Sequence, residues 1–168
     1  MTKRLLALLV GVALAACSGS NNSQTTDPIN SIVAGQLTIA LSKTSYNASE
    51  LNPSSGGVRA TLGNTADQTF YSMIGDAFNG ASEQNPLYVA NGSDASLERQ
   101  QGSDWVAVNG VQMIEGVKVV SILPGRSYDL IVQSSAATPG NYRIVIAYRN
   151  TATASATRRA VSATFEVR

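Results

Sequence analysis

Histidine does not occur anywhere in the 168 residues. Its absence excludes Ser-His and Cys-His nucleophilic catalysis and every histidine-ligated metal site. Cysteine occurs once, at Cys17, so no intrachain disulfide can brace the fold. No Gly-x-Ser-x-Gly elbow is present, and no Ser-x-x-Lys is followed by the motifs that accompany it in serine acyl-transfer enzymes. Charge is sparse, at 14% of residues, and balanced, with 12 basic side chains against 11 acidic ones. The few arginines are scattered along the chain, and nothing points to nucleic acid. The longest apolar run, Leu5 to Ala16, is too short to span a bilayer. After it, no window has helical periodicity.

What is present begins with that run. Lys3 and Arg4 precede it, and it closes on Leu14-Ala15-Ala16-Cys17. A basic start, a short apolar core and small residues before a cysteine resemble the lipobox signal of bacterial lipoprotein precursors. The resemblance implies cleavage after Ala16, diacylglyceryl modification of the Cys17 thiol, and acylation of the new amino terminus. An ordinary secretory signal is the alternative. Each buried methylene of an acyl chain contributes about 0.8 kcal/mol, so two or three chains anchor far more firmly than one. The expected organisation is a signal peptide at 1–16, a lipidated cysteine and flexible tether at 17–33, and one domain at 34–168. The tether is Ser, Asn, Gln and Thr with almost nothing apolar, and cannot offset the entropy of ordering.

From Gln36 onward the pattern is alternation of period two. Leu37, Ile39 and Leu41 share one face, as do Val58, Ala60 and Leu62. Phe70 is the inward residue of a run from Gln68 to Ser72, and Leu87-Tyr88-Val89 is a brief extended piece. Ala95 to Val108 reads as a hairpin around Gln101-Gly-Ser-Asp104. A further run covers Val111 to Leu123. Two strands then follow Pro-Gly turns, with Tyr128, Leu130 and Val132 on one face of the first. Tyr142, Ile144, Ile146 and Tyr148 share a face of the second. The last run places Val161, Ala163, Phe165 and Val167 together. Short strands separated by turn signals about every ten residues predict an all-β sandwich or barrel.

Thr138-Pro-Gly-Asn-Tyr142-Arg-Ile144 resembles the tyrosine corner of immunoglobulin-like domains, in which the phenol hydroxyl ties the corner to nearby backbone. With Tyr46 early, Leu62-Gly-Asn64, Trp105-Val and Leu123-Pro-Gly125, the order is similar to the immunoglobulin-like domains of bacterial surface lipoproteins. The resemblance implies an antiparallel immunoglobulin-like sandwich of about seven to nine strands. It departs from the usual pattern at Asn47-Ala48-Ser49, where a Pro-Gly turn is common, and in the long stretch from Met73 to Asp94.

Candidate site residues fall into three groups. Cys17 is the lipidation site. Asp76, Phe78 and Tyr88 in the 73–94 stretch, and Arg149, Arg158 and Arg159 around the 151–159 loop, are candidate binding residues, because long loops and clustered arginines can face a partner. Trp105 and Tyr142 are read as structural, Trp105 packing between the sheets, although a stacking role for sugar or peptide is the alternative. Asp76-Ala-Phe78-Asn79-Gly80 has an outline of a calcium loop, but Phe78 stands where an oxygen ligand belongs, so no metal is assigned. Carboxylates at Asp76, Glu83, Asp94, Glu98, Asp104 and Glu115 cannot be paired from sequence into a hydrolytic dyad.

The expectation is a non-catalytic module without a cofactor, lipid-anchored in the bacterial cell envelope, at the outer membrane where there is one. Its partners would be the membrane through Cys17 and an envelope or extracellular macromolecule, with no nucleic acid. A protease inhibitor is the alternative, followed by a carbohydrate-binding module or hydrolase.

Overall fold

The structure is a computed structural model that describes residues 36–76, 86–90, 93–108, 111 and 117–168, with Asp76 described for its backbone only. Cys17 and Phe78 lie outside the described residues. Twelve strands are distinguished among those described: β1 Leu37–Leu41, β2 Ser45–Tyr46, β3 Val58–Asn64, β4 Phe70–Asp76, β5 Leu87–Val89, β6 Ala95–Gln101, β7 Asp104–Ala107, β8 Val117–Ile122, β9 Ser127–Val132, β10 Gly140–Tyr148, β11 Arg158–Val161 and β12 Phe165–Val167. Two 3-10 turns, Ala48–Leu51 and Pro53–Ser55, complete the regular structure.

The strands form two sheets packed face to face, the all-β sandwich that the alternation predicts. The first has the order β1-β3-β9-β5-β4-β8, the second β2-β12-β10-β6-β7 with β11 also on β10. Most pairings are antiparallel, but β5 with β9 and β12 with β2 are parallel, so both sheets are mixed. The strand number exceeds the expected seven to nine because β2 is only two residues long and the last run is divided into the short β11 and β12. Pieces that short carry too few alternations to register in a sequence pattern.

Period-two alternation places the core. Leu62, Leu130, Phe70 and Ile122 of the first sheet face Leu97, Tyr142, Ile144 and Phe165 of the second, all fully or almost fully buried. Each such side chain contributes about 1.5–3 kcal/mol by leaving water. Tyr142 lies against Phe165 at 5.9 Å between ring centroids, and Tyr46 meets the same ring edge-on at 5.4 Å. The Tyr142 hydroxyl donates to Thr138 O at 2.6 Å and accepts from Thr138 N at 3.0 Å. These two bonds tie Tyr142 to the backbone of the turn that starts β10.

The final run departs from its expected phase. β10 pairs with β12 through Tyr142↔Phe165 and with β11 through Val145↔Val161, and the two registers differ by one residue. This is a bulge, and one extra residue reverses the facing of every side chain beyond it. Ala160 and Ser162 therefore point inward and are buried, while Val161 is half-buried and Ala163 exposed. The Ser162 hydroxyl accepts from Ile144 N at 2.9 Å and donates to Ala163 O at 2.7 Å, satisfying groups the broken ladder leaves.

The two sheets are stitched at one corner. Tyr71 of β4 and Arg149, just past β10, exchange backbone hydrogen bonds of 2.9 Å in both directions. Asp94, preceding β6, joins the same place: its carboxylate accepts from Met73 N at 2.7 Å and pairs with the Arg149 guanidinium at 3.3 Å.

Candidate functional site

The β6–β7 hairpin fixes the orientation of the side chains that matter. Gln101 and Asp104 close a two-residue loop, Gly102-Ser103, in which Gly102 takes φ 64°. A positive φ at the first loop position matches the twist of the flanking strands, and glycine adopts it without a Cβ clash. Closure at that point sets the register Gln100↔Trp105 and Glu98↔Ala107. On the other side of β6, Glu98 lies opposite Arg143 of β10. Directly opposed residues share a face. Since Leu97 and Ile144 face the core, Glu98, Gln100, Trp105 and Arg143 all lie on the outer face of the second sheet.

Trp105 is thus not an inter-sheet packing residue. The half-buried indole sits outside the sandwich, beneath the Arg143 guanidinium, whose carbon is 4.4 Å from the ring centroid. A cation over an indole face is attractive by about 0.5–2 kcal/mol, depending on desolvation. Arg143 is held there by Glu98, to which its Nε and Nη2 both donate at 2.7 Å. Arg159 of β11 approaches the other Glu98 oxygen, its Nη2 donating at 2.6 Å. The Glu98 side chain is 10% exposed and the two arginines about 20% each. Charge-assisted contacts this short and this sheltered fix the side chains, because leaving one charge unpaired costs several kcal/mol. Both Glu98 oxygens are occupied by guanidinium donors, so this carboxylate is engaged within the patch and not presented to solvent as a base. At the exposed margin, Asn141 Nδ2 donates to Gln100 Oε1 at 3.2 Å.

The arrangement is a preorganised patch: one half-buried indole, two immobilised guanidinium groups and a pair of exposed amides. One indole face is covered by the Arg143 guanidinium, so a planar or polyhydroxylated group would meet the ring's other face or edge beside the two amides.

The other candidate residues do not assemble. Arg149 is 9% exposed and committed to Asp94 at the sheet junction, so it is a structural ion pair and not a binding residue. Arg158 lies over the Phe70 ring at 6.0 Å. Only Arg159 reaches the outer patch, through Glu98. The three arginines diverge because alternate strand residues face opposite ways and Arg149 lies beyond the β10–β11 ladder. Burial pushes the Tyr148 phenol above its ordinary value, with Arg158 acting weakly against it, and that hydroxyl bonds the Gln36 amide oxygen. Tyr88 is half-buried on the opposite side of the molecule, on the outer face of the first sheet between Ile131 and Gly75. Asp76 ends β4 and its side chain lies outside the description, as do Phe78, Glu83 and Glu115. Among the described residues, no three of His, Cys, Asp or Glu converge as metal ligands.

No protein-family model matches the chain, and neither a curated protein nor a solved structure matches it.

Proposed function

We propose that this chain is a lipid-anchored protein of the bacterial cell envelope whose immunoglobulin-like sandwich is a non-catalytic binding module. Leu14-Ala-Ala-Cys17 supports the anchor, which would tie the domain to the membrane through acyl chains on Cys17. The observation that carries the binding reading is the outward Trp105, braced by Arg143 and the Glu98 pair. A large aromatic left half-exposed on a sheet face, braced by side chains that could instead be solvated, is better explained by a partner than by stability. The partner class is an envelope or extracellular macromolecule with planar or hydroxyl-rich groups.

Two measurements test this. Palmitate labelling of cells should mark the wild-type chain and not Cys17→Ser, with loss of membrane association in the variant. Trp105→Ala should lower retention of the protein on purified envelope polymer about tenfold, as expected for removal of a stacking anchor. Its folding stability should fall by only about 1 kcal/mol, since no core cavity forms. Unchanged retention would remove the patch from function. A loss of about 3–5 kcal/mol would mean that the indole is core after all.

A further inference from the structure

We propose that β7 is a self-association edge, through which two copies of this chain join antiparallel with Val106 on the two-fold axis. Val108 N donates to Leu97 O at 2.8 Å, so Val108, and with it Val106, directs its backbone groups toward β6. Alternation then turns the N–H and C=O of Trp105 and Ala107 away from the sheet. Among the described residues no strand pairs with that side.

Other edges are closed or defended. β1 packs beside β11, and β2 is two residues long. β8 carries the exposed Lys118 and is followed by Pro124, both devices that discourage edge pairing. β7 carries no lysine, arginine or proline, and Val106 is 43% exposed. The charge in β7 is confined to Asp104 at its turn end, so Trp105, Val106 and Ala107 form a short template with no charged residue of their own.

The occupant is a second copy because the strand is complementary to itself. Centring the two-fold on Val106 pairs Trp105 with Ala107 of the other copy, twice, and uses all four outward N–H and C=O groups. Centring on Trp105 would draw in the turn at Ser103, and centring on Ala107 would reach past Val108. In the chosen register the indole meets a methyl group, the two exposed valines cover each other, and Asp104 opposes Val108, so no like charges meet. The axis is perpendicular to the sheet, so both Trp105 patches lie on one continuous face, flanking the join. The contact is small, and the association should be weak and concentration-dependent.

The test uses the full chain carrying Cys17→Ser in mild detergent, so that a cysteine introduced elsewhere is the sole thiol. Sedimentation over a concentration series should show a monomer–dimer equilibrium. Val106→Lys places like charges across the axis, and Ala107→Pro deletes one outward amide while leaving the β6 ladder alone. Each should weaken dimerisation roughly tenfold or more, with unchanged circular dichroism and thermal midpoint. Under mild oxidation Val106→Cys should link two chains. Asp104→Cys should not, since in this register its counterpart lies about 13 Å along the strand, beyond disulfide reach. A chain monomeric at every concentration, a dimer indifferent to Val106→Lys and Ala107→Pro, or equal linking at 104 and 106 would each overturn the proposal.

Discussion

The two sheets have matching inner faces and contrasting outer ones. Inward, each is a block of Leu, Ile, Val and aromatic side chains, and each contains a tyrosine whose hydroxyl ties back to the turn before its strand. Tyr142 holds Thr138, and Tyr128 accepts from Leu123 N at 3.1 Å. Outward, the first sheet presents Ala40, Thr61, Arg59 and Asp129 around a shallow depression of about 240 Å³. The second presents Trp105, Arg143, Glu98 and Arg159, locked together. Both inner faces are shaped by one requirement, the exclusion of water from a shared core. Nothing in that requirement orders the outer face of the second sheet, and its organisation is therefore where function is best sought.

The largest expected break in this contrast is Glu98→Ala, which leaves two sheltered guanidinium groups without their carboxylate. Urea unfolding should show a loss of about 3 kcal/mol, whereas Asp129→Ala on the first sheet should stay within about 0.5 kcal/mol. Equal losses would mean that the two outer faces are energetically alike. Next in size are Tyr142→Phe and Tyr128→Phe, expected to cost about 1–2 kcal/mol each, because each deletes a buried hydroxyl and orphans backbone partners. Similar values would confirm that the inner faces obey one rule.

The smallest effect concerns an ion pair in the open. Lys43 Nζ donates to Glu50 Oε1 at 2.6 Å, and Glu50 also accepts from Asn47 N. The hydrogen bond from Lys43, then that from Asn47, holds the Glu50 carboxyl below its ordinary value. A folded pKa below the unfolded one adds stability above the unfolded value, which is lost as pH falls through the folded one. Glu50→Gln should therefore lower the thermal midpoint slightly near neutrality and flatten its acid limb, so that the two proteins converge at acid pH. A larger response than that of Glu98→Ala would invert the comparison between exposed and sheltered charge.

Much of this was legible in the chain. Tyr142, Ile144, Ile146 and Tyr148 fall on one face because period two is a property of the extended backbone. Trp105 was also legible in principle. Gln101-Gly-Ser-Asp104 closes a two-residue loop, Leu97 sets the inward phase of β6, and the two together place Trp105 opposite Gln100, on the outside. Residue type, which favours a buried indole, pointed the other way, and register decides. The bulge between β11 and β12 was not legible, since an inserted residue leaves no mark on local alternation when Ala and Ser can face either side. Nor were the partners of the arginines.

By itself the sequence determined the strand character, the inward faces, the turn positions and the absence of histidine and disulfide chemistry, because each follows from local backbone geometry or from composition. Only the tertiary structure decided that Glu98 stands between Arg143 and Arg159, at sequence separations of 45 and 61 residues. It alone decided that Arg149 belongs to Asp94, and that no described strand pairs with the outer side of β7. These are facts of strand order and register, fixed by how two sheets bury a common core and not by any run of neighbouring residues.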